Sequence, residues 1–270
     1  MTDPTRIDVP VSTMAPDGST AVYVLADEST GSDDSWHGSD VLVVDPASVT
    51  ADLRDRLAGA DAVHLAVTHH HPDHVGGVAD LANRFDATVW ARAGRTGEFE
   101  EAVGVAPDRT FLPGDELPVA GGIRVVDTPG HAPEHVAFGT ADWLVTGDLA
   151  VAEGSVVVGG PGADMRAYLS SLRRLHARDP DRLYPAHGPV IEDVRGTCAR
   201  LIRHRLDRER AVLAAVRGGA STTEAILEVA YDKDLTGVRD LALATVEAHL
   251  RKLAREGTVR WTDGHVVPTE

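Results

Sequence analysis

The stretch THHHPDHVGG, residues 68–77, puts four histidines and an aspartate within six positions, directly after an apolar run at 63–67. At the histidine content of this chain a six-residue window should hold about 0.3, so composition does not account for the cluster. The apolar run reads as a buried strand and residues 75–84 as a helix, giving the order strand, polar loop, helix. In an extended loop, residues two apart point the same way, so His69 and His71 share a side and His70 faces elsewhere. Pro72 then turns the chain, and Asp73 and His74 open the helix. Gly76 and Gly77 carry no side chain there and allow a close backbone approach.

The same pattern recurs at later strand ends. Strands are predicted at 21–25 and 41–44, as a hairpin around a polar insert at 29–40, and then at 88–90, 123–127, 136–139, 143–146 and 182–184. A short helix is predicted near Leu53 and Leu57 and another over 165–177. The strand at 123–127 runs into TPGH and His131, that at 143–146 into Gly147 and Asp148, and that at 182–184 into PAHG and His187. Neutral imidazole and carboxylate suit zinc, manganese or iron(II), and two such ions about 3.5 to 4 Å apart take six or seven protein ligands. His69, His71, Asp73, His74, His131, Asp148 and His187 number seven.

After Pro189 the pattern turns helical, over 195–216, 222–230 and 239–256, and closes with alternating runs around Asp263-Gly264, a two-residue hairpin signal. Helix, helix, helix, hairpin is a winged-helix arrangement. Two domains are expected, 1–194 and 195–270.

His69-x-His71-x-Asp73-His74, followed by His131, Asp148 and His187, resembles the metallo-β-lactamase superfamily across residues 20–190. The resemblance implies an α+β fold, an αββα sandwich with metals at one edge of its two sheets. It would assign His69, His71 and His131 to a first metal site and Asp73, His74 and His187 to a second, with Asp148 bridging them. Asp45, in VVDP, falls where the family often has a structural aspartate. The runs HGPVI, IRHRLDRERAVL and AHLRKLAREGTV extend the likeness to the branch with a C-terminal winged-helix domain, which is related to glyoxalase-II-type thioesterases and includes a ribonuclease of single-stranded RNA. The triplet 69–71 also resembles the thioesterase group. Glu134, after TPGHAP, departs from the pattern, since many relatives have glycine there.

Two bound ions would lower the pKa of a shared water toward neutrality and supply a bridging hydroxide, so no serine or cysteine nucleophile is required. Asp73 and Asp148 would hold the ions and orient that hydroxide, and His135 is a candidate contact to the substrate or to the ligands from behind. Cys198, the sole cysteine, excludes an intrachain disulfide and reads as a small helix residue. A metal-dependent hydrolase of a small thioester or ester, akin to a hydroxyacylglutathione hydrolase, leads; an endoribonuclease and a non-enzymatic nucleic-acid-binding or interaction module are the alternatives. Residues 1–194 carry 13 basic and 31 acidic residues, a net of −18, which argues against a polyanionic substrate because phosphate contacts need local Lys or Arg. Only Lys233 and Lys252 are lysines, and arginine dominance with acidic excess suggests a salt-adapted or high-GC source. The counter-evidence is the run Arg200, Arg203, Arg205, Arg208, Arg210 and Arg217 on one predicted helix. The winged helix is expected to shape the substrate entrance or form a homodimer contact. No bilayer-spanning run and no basic-then-apolar leader pattern occur, so a cytoplasmic location without membrane attachment is expected.

Overall fold

Residues 3–13, 15, 18–26, 36–232 and 234–269 are described by the computed structural model. Most of the polar insert expected at 29–40 lies outside the described residues. Cα packing divides the chain into two compact units, 1–127 with 134–152 and 180–194, and 128–133 with 153–179 and 195–270.

Among the described residues, the first unit holds two sheets. One runs in the spatial order β1 (Thr5–Pro10), β2 (Ser19–Ala26), β3 (Asp40–Val44), β4 (Ala62–Ala66), β5 (Thr88–Arg92), β6 (Arg109–Phe111). The other is ordered β11 (Arg182–Pro185), β10 (Trp143–Gly147), β9 (Val136–Gly139), β8 (Ile123–Asp127), β7 (Glu116–Leu117). Strands β1 to β3 pair antiparallel and β3 to β6 parallel; in the second sheet only the β10–β11 pair is parallel.

Alternation of side chains across a pleat explains why β2 is apolar without a break. Val22 and Val24 face a core shared with α1 (Ala51–Leu57), α3 (Val78–Phe85) and α4 (Thr96–Val103), through Leu53, Leu57, Val78, Leu81, Phe99 and Val103. Ala21, Tyr23 and Leu25 face the other way, into a second core with Ile123, Val125, Phe138, Trp143, Val145 and Tyr184. Both faces of the first sheet are therefore buried.

The predicted strands appear, and β1, β6, β7 and α4 are additions that short or weakly alternating sequence did not reveal. The helix expected at 75–84 is split into α2 (Pro72–Val75) and α3. Gly76 and Gly77 make the break: a Cβ at either would lie 2.6 Å from the carbonyl oxygen of Ala47 or Pro46 respectively. The close approach is thus to the backbone at 46–47, where Gly77 N donates to Pro46 O at 2.7 Å.

The two sheets are also stitched by hydrogen bonds at residues 185–187. Ala21 N donates to Ala186 O at 2.9 Å, and the fully buried Tyr23 hydroxyl donates to Pro185 O at 2.7 Å. Removing that hydroxyl leaves a buried carbonyl without its partner. Tyr23→Phe is expected to cost about 1 to 2 kcal/mol, to be read from urea unfolding; an unchanged midpoint would show that the bond contributes nothing net.

In the second unit, α5 (Met165–Arg178) is followed by α6 (Val194–Arg217), α7 (Thr223–Ala230), α8 (Arg239–Arg255) and the hairpin β12 (Val259–Thr262) with β13 (His265–Pro268). Val212, Val216, Ile226, Leu227, Val246, Leu250, Val259 and Val266 form its core. Asp263 and Gly264 both take positive φ, 51° and 78°, as the tight hairpin turn demands.

Candidate metal centre

The histidine loop between β4 and α2 has no ladder partners, so its backbone needs other anchors. Thr68 N donates to Asp45 Oδ1 at 2.6 Å, Val136 N donates to Thr68 O at 2.9 Å, and His70 N donates to Glu134 Oε1 at 3.1 Å. His74 N closes the turn onto His71 O at 2.9 Å. Gly147, with φ of 48°, has no room for a side chain: a Cβ there would sit 2.3 Å from Thr68 Oγ1. Its small size lets the end of β10, carrying Asp148, meet the end of β4, carrying His69.

Acceptor-only partners set the imidazole tautomers. Asp45 Oδ2 accepts from His74 Nδ1 at 2.9 Å and from the Thr68 hydroxyl at 2.8 Å. Having given its hydrogen to Asp45, the Thr68 oxygen must accept from His69 Nδ1, 3.1 Å away. His187 Nδ1 donates to Ser19 O at 3.1 Å. His69, His74 and His187 all therefore turn Nε2 inward, while His71 presents Nδ1, 3.0 Å from His69 Nε2. Fixing one ring nitrogen by a carboxylate or carbonyl is how proteins present the other to a metal.

His69, His74 and Asp148, and likewise Asp73, His74 and His187, each bring one ligand-type atom within 4.8 Å of the others. His187 Nε2 lies 3.4 Å from both Asp73 Oδ2 and Asp148 Oδ1, and His74 Nε2 lies 3.8 Å from each. Among the described residues, neither of these buried Nε2 atoms has a hydrogen-bond partner. Tetrahedral ligands about 2.1 Å from a common ion stand roughly 3.4 Å apart. The spacing is too long for good hydrogen bonds and right for atoms sharing a divalent cation.

Electrostatics agree. Burial alone would lower the pKa of His74, but the carboxylates of Asp45, Asp148 and Asp73 raise it to about 9. Burial also opposes the charge on His187, which Asp73 and Asp148 nonetheless push upward. Asp73, despite burial, is held below its usual range by His187 and His74.

Of the other residues singled out by sequence, His131 falls in the second unit, four positions beyond the end of β8, and its Nδ1 donates to Val157 O at 2.7 Å, again leaving Nε2 to face outward from that bond. His135 is fully buried, its ring 5.1 Å from that of His69. The His70 ring packs edge-on to Phe99 at 5.5 Å. Cys198 is buried, and desolvation pushes its thiol up to about 12, which disqualifies it as a nucleophile. Glu134 and Arg92 were not anticipated as supports: Arg92 donates to Glu134 O at 3.2 Å and pairs with Asp127 at 2.9 Å. The sequence signal for Glu134 is its departure from the family pattern, an acid after TPGHAP where many relatives have glycine.

The α+β sandwich with imidazoles and carboxylates gathered at its strand ends defines a metal-binding hydrolase scaffold. The Metallo-beta-lactamase superfamily profile matches residues 33–187, and the chain belongs to that superfamily as a hydrolase. It is 32% identical over 219 residues to the beta-lactamase-like protein 2 homolog of Drosophila melanogaster, covering 77% of this chain and 73% of that one. It is 28% identical over 250 residues to the atrochrysone carboxyl ACP thioesterase dmxR1 of Cryptosporiopsis sp. (strain 8999), covering 82% and 73%. The fold matches that of a metallo-beta-lactamase family protein from Thermus thermophilus with a TM-score of 0.75 at 24% identity, over 98% of each chain.

Metal uptake at this centre must displace the proton on His74. Affinity for zinc is expected to rise with pH up to about 9 and level off above it, with protons released on binding below that pH. In the metal-free chain the sign reverses for folding: the raised pKa contributes stability that is full below the ordinary value of 6.5 and is lost as pH rises through about 9. Zinc titrations in indicator-buffered solution and thermal melts of chelated protein read the two trends separately.

Proposed function

We propose that the chain is a binuclear metal-dependent hydrolase of a small thioester or ester. His69, His71 and His131 would hold one ion and Asp73, His74 and His187 the other, with Asp148 shared, and zinc is the first candidate, ahead of manganese or iron. The observation that carries this reading is the pair of buried Nε2 atoms, on His74 and His187, facing the carboxylates of Asp73 and Asp148 at 3.4 to 3.8 Å. When bound, such ions lower the pKa of a water and polarise an acyl oxygen. Asp73 and Asp148 supply the acceptors that orient that water, Asp45 and Ser19 O keep the imidazoles in their ligand tautomers, and the buried His135 packs behind His69.

A thioester is favoured over RNA for three reasons. The relatives include a protein named as a thioesterase. The first 194 residues are heavily acidic, which repels phosphodiesters. The arginines of α6, the main feature arguing for RNA, are largely structural: Arg200 donates to Gly154 O at 2.6 Å, Arg205 is buried and donates to Val156 O, and Arg208 donates to Ala230 O with its guanidinium 3.5 Å from the Tyr231 ring centroid. Arg173, Arg203 and Arg210 remain around a groove of about 630 Å³ floored by Ala199, Ile202 and Leu206, and this is the surface an RNA reading would use.

Residues 195–270 we read as a winged-helix-like domain, with a small-molecule substrate, a homodimer contact and a cytoplasmic location as the accompanying expectations. No helix among the described residues is long and apolar enough to cross a membrane.

Paired assays on one metal-quantified sample, thiol release from a thioester and cleavage of single-stranded RNA, separate the readings. Asp148→Ala is expected to lower thioester turnover by a factor on the order of 10² or more, while Arg203→Glu leaves it unchanged. RNA cleavage that is lost in Arg203→Glu, with no thioester turnover, would reverse the assignment.

A further inference from the structure

The histidine loop is held by a carboxylate from each sheet. Asp45, at the end of β3, anchors Thr68 and His74. Glu134, just ahead of β9, reaches the loop from the other side, its Oε1 accepting from His70 N at 3.1 Å. We propose that Glu134 is a positioning residue for the ligand pair His69 and His71, an inference that rests on the metal-centre reading above.

Three observations carry it. First, His70 sits between the two ligands, so holding its N–H fixes the 69–70 peptide plane, next to His69 and one residue ahead of His71; their rings meet at 4.5 Å with Nε2 and Nδ1 facing each other. Second, Glu134 is 7% exposed, so its bond to the loop is shielded from water and competing donors. Third, the residue is itself clamped: Arg92, paired with Asp127, donates to the Glu134 carbonyl, and the next residue but one, Val136, donates its N–H to Thr68 O. The carboxylate is thus delivered by a braced segment at the mouth of the second sheet. The His70 imidazole, with Nδ1 3.7 Å from Glu134 Oε1 and its ring against Phe99, is directed away from His69 and His71 by the same arrangement.

What matters on this account is an acceptor at the Oε1 position, not negative charge as such. Glu134→Gln keeps the acceptor; Glu134→Met keeps the bulk and loses it. In the full-length metal-free chain titrated with cobalt(II), Glu134→Met is expected to weaken binding roughly ten- to a hundredfold and to alter the visible d–d absorption. Glu134→Gln is expected to reproduce the affinity and spectrum of the unaltered chain. Far-ultraviolet circular dichroism confirms folding, and Glu134→Ser, too short to reach His70 N, replaces the methionine variant if that one does not fold. Equal binding by Glu134→Met, or equal loss in both Gln and Met variants, overturns the positioning role. Failure of the unaltered chain itself to bind cobalt would overturn the metal-centre reading and this inference with it.

Discussion

Asp45 is the group on which the metal end of the first unit depends. A carboxylate buried to 1% exposure is costly unless its oxygens are engaged. Here they take Thr68 N, the Thr68 hydroxyl and His74 Nδ1, so one side chain fixes the start of the loop, orients His69 through the threonine, and orients His74 directly. The backbone at Asp45 is itself bent to positive φ, 53°, an uncommon conformation for a residue other than glycine. That bend carries the chain from β3 into residues 46–47, against which Gly76 and Gly77 pack. Strand, loop and helix are therefore locked to one another by a single residue and two glycines.

Much of this was legible in the chain itself. Strand ends delivering histidine or aspartate stand out because the strands are short, apolar and β-branched, and ligand types follow them at once. The two-residue turn at Asp263-Gly264 was equally plain, because positive φ at both positions leaves few alternatives to that pair. Other features were hidden for identifiable reasons. β6 and β7 span three and two residues, too few to show a period, and β1 offers only Ile7 and Val9 as apolar positions, too short an alternation to stand out from a loop. The interruption between α2 and α3 arises from tertiary contact with residues 46–47, which no local pattern encodes. Glu134 could be noticed as unusual, but only the fold shows what its carboxylate meets.

The basic helix illustrates how composition misleads about recognition. The seven arginines on α6 look like a phosphate-binding stripe, yet three of them terminate on backbone carbonyls of their own unit. Arginine offers five donors on a long stem, and a chain nearly devoid of lysine uses it for internal bracing as well as for surface charge. Glu209 does similar work with acid, accepting from the buried Lys252 at 2.8 Å and approaching His249 Nδ1 at 3.4 Å to tie α6 to α8.

The stitching of residues 185–187 onto β2 has a kinetic side. Tyr23 and Pro185 are separated by 162 positions, and Ser19 and His187 by 168, so each bond closes a loop that spans most of the first unit. Contacts of such sequence separation carry a large chain-closure cost and are slow to form. The orientation of the His187 imidazole therefore depends on a contact that spans most of the first unit. An imidazole held this way reports on the closure of residues 185–187 onto β2 rather than on any local segment.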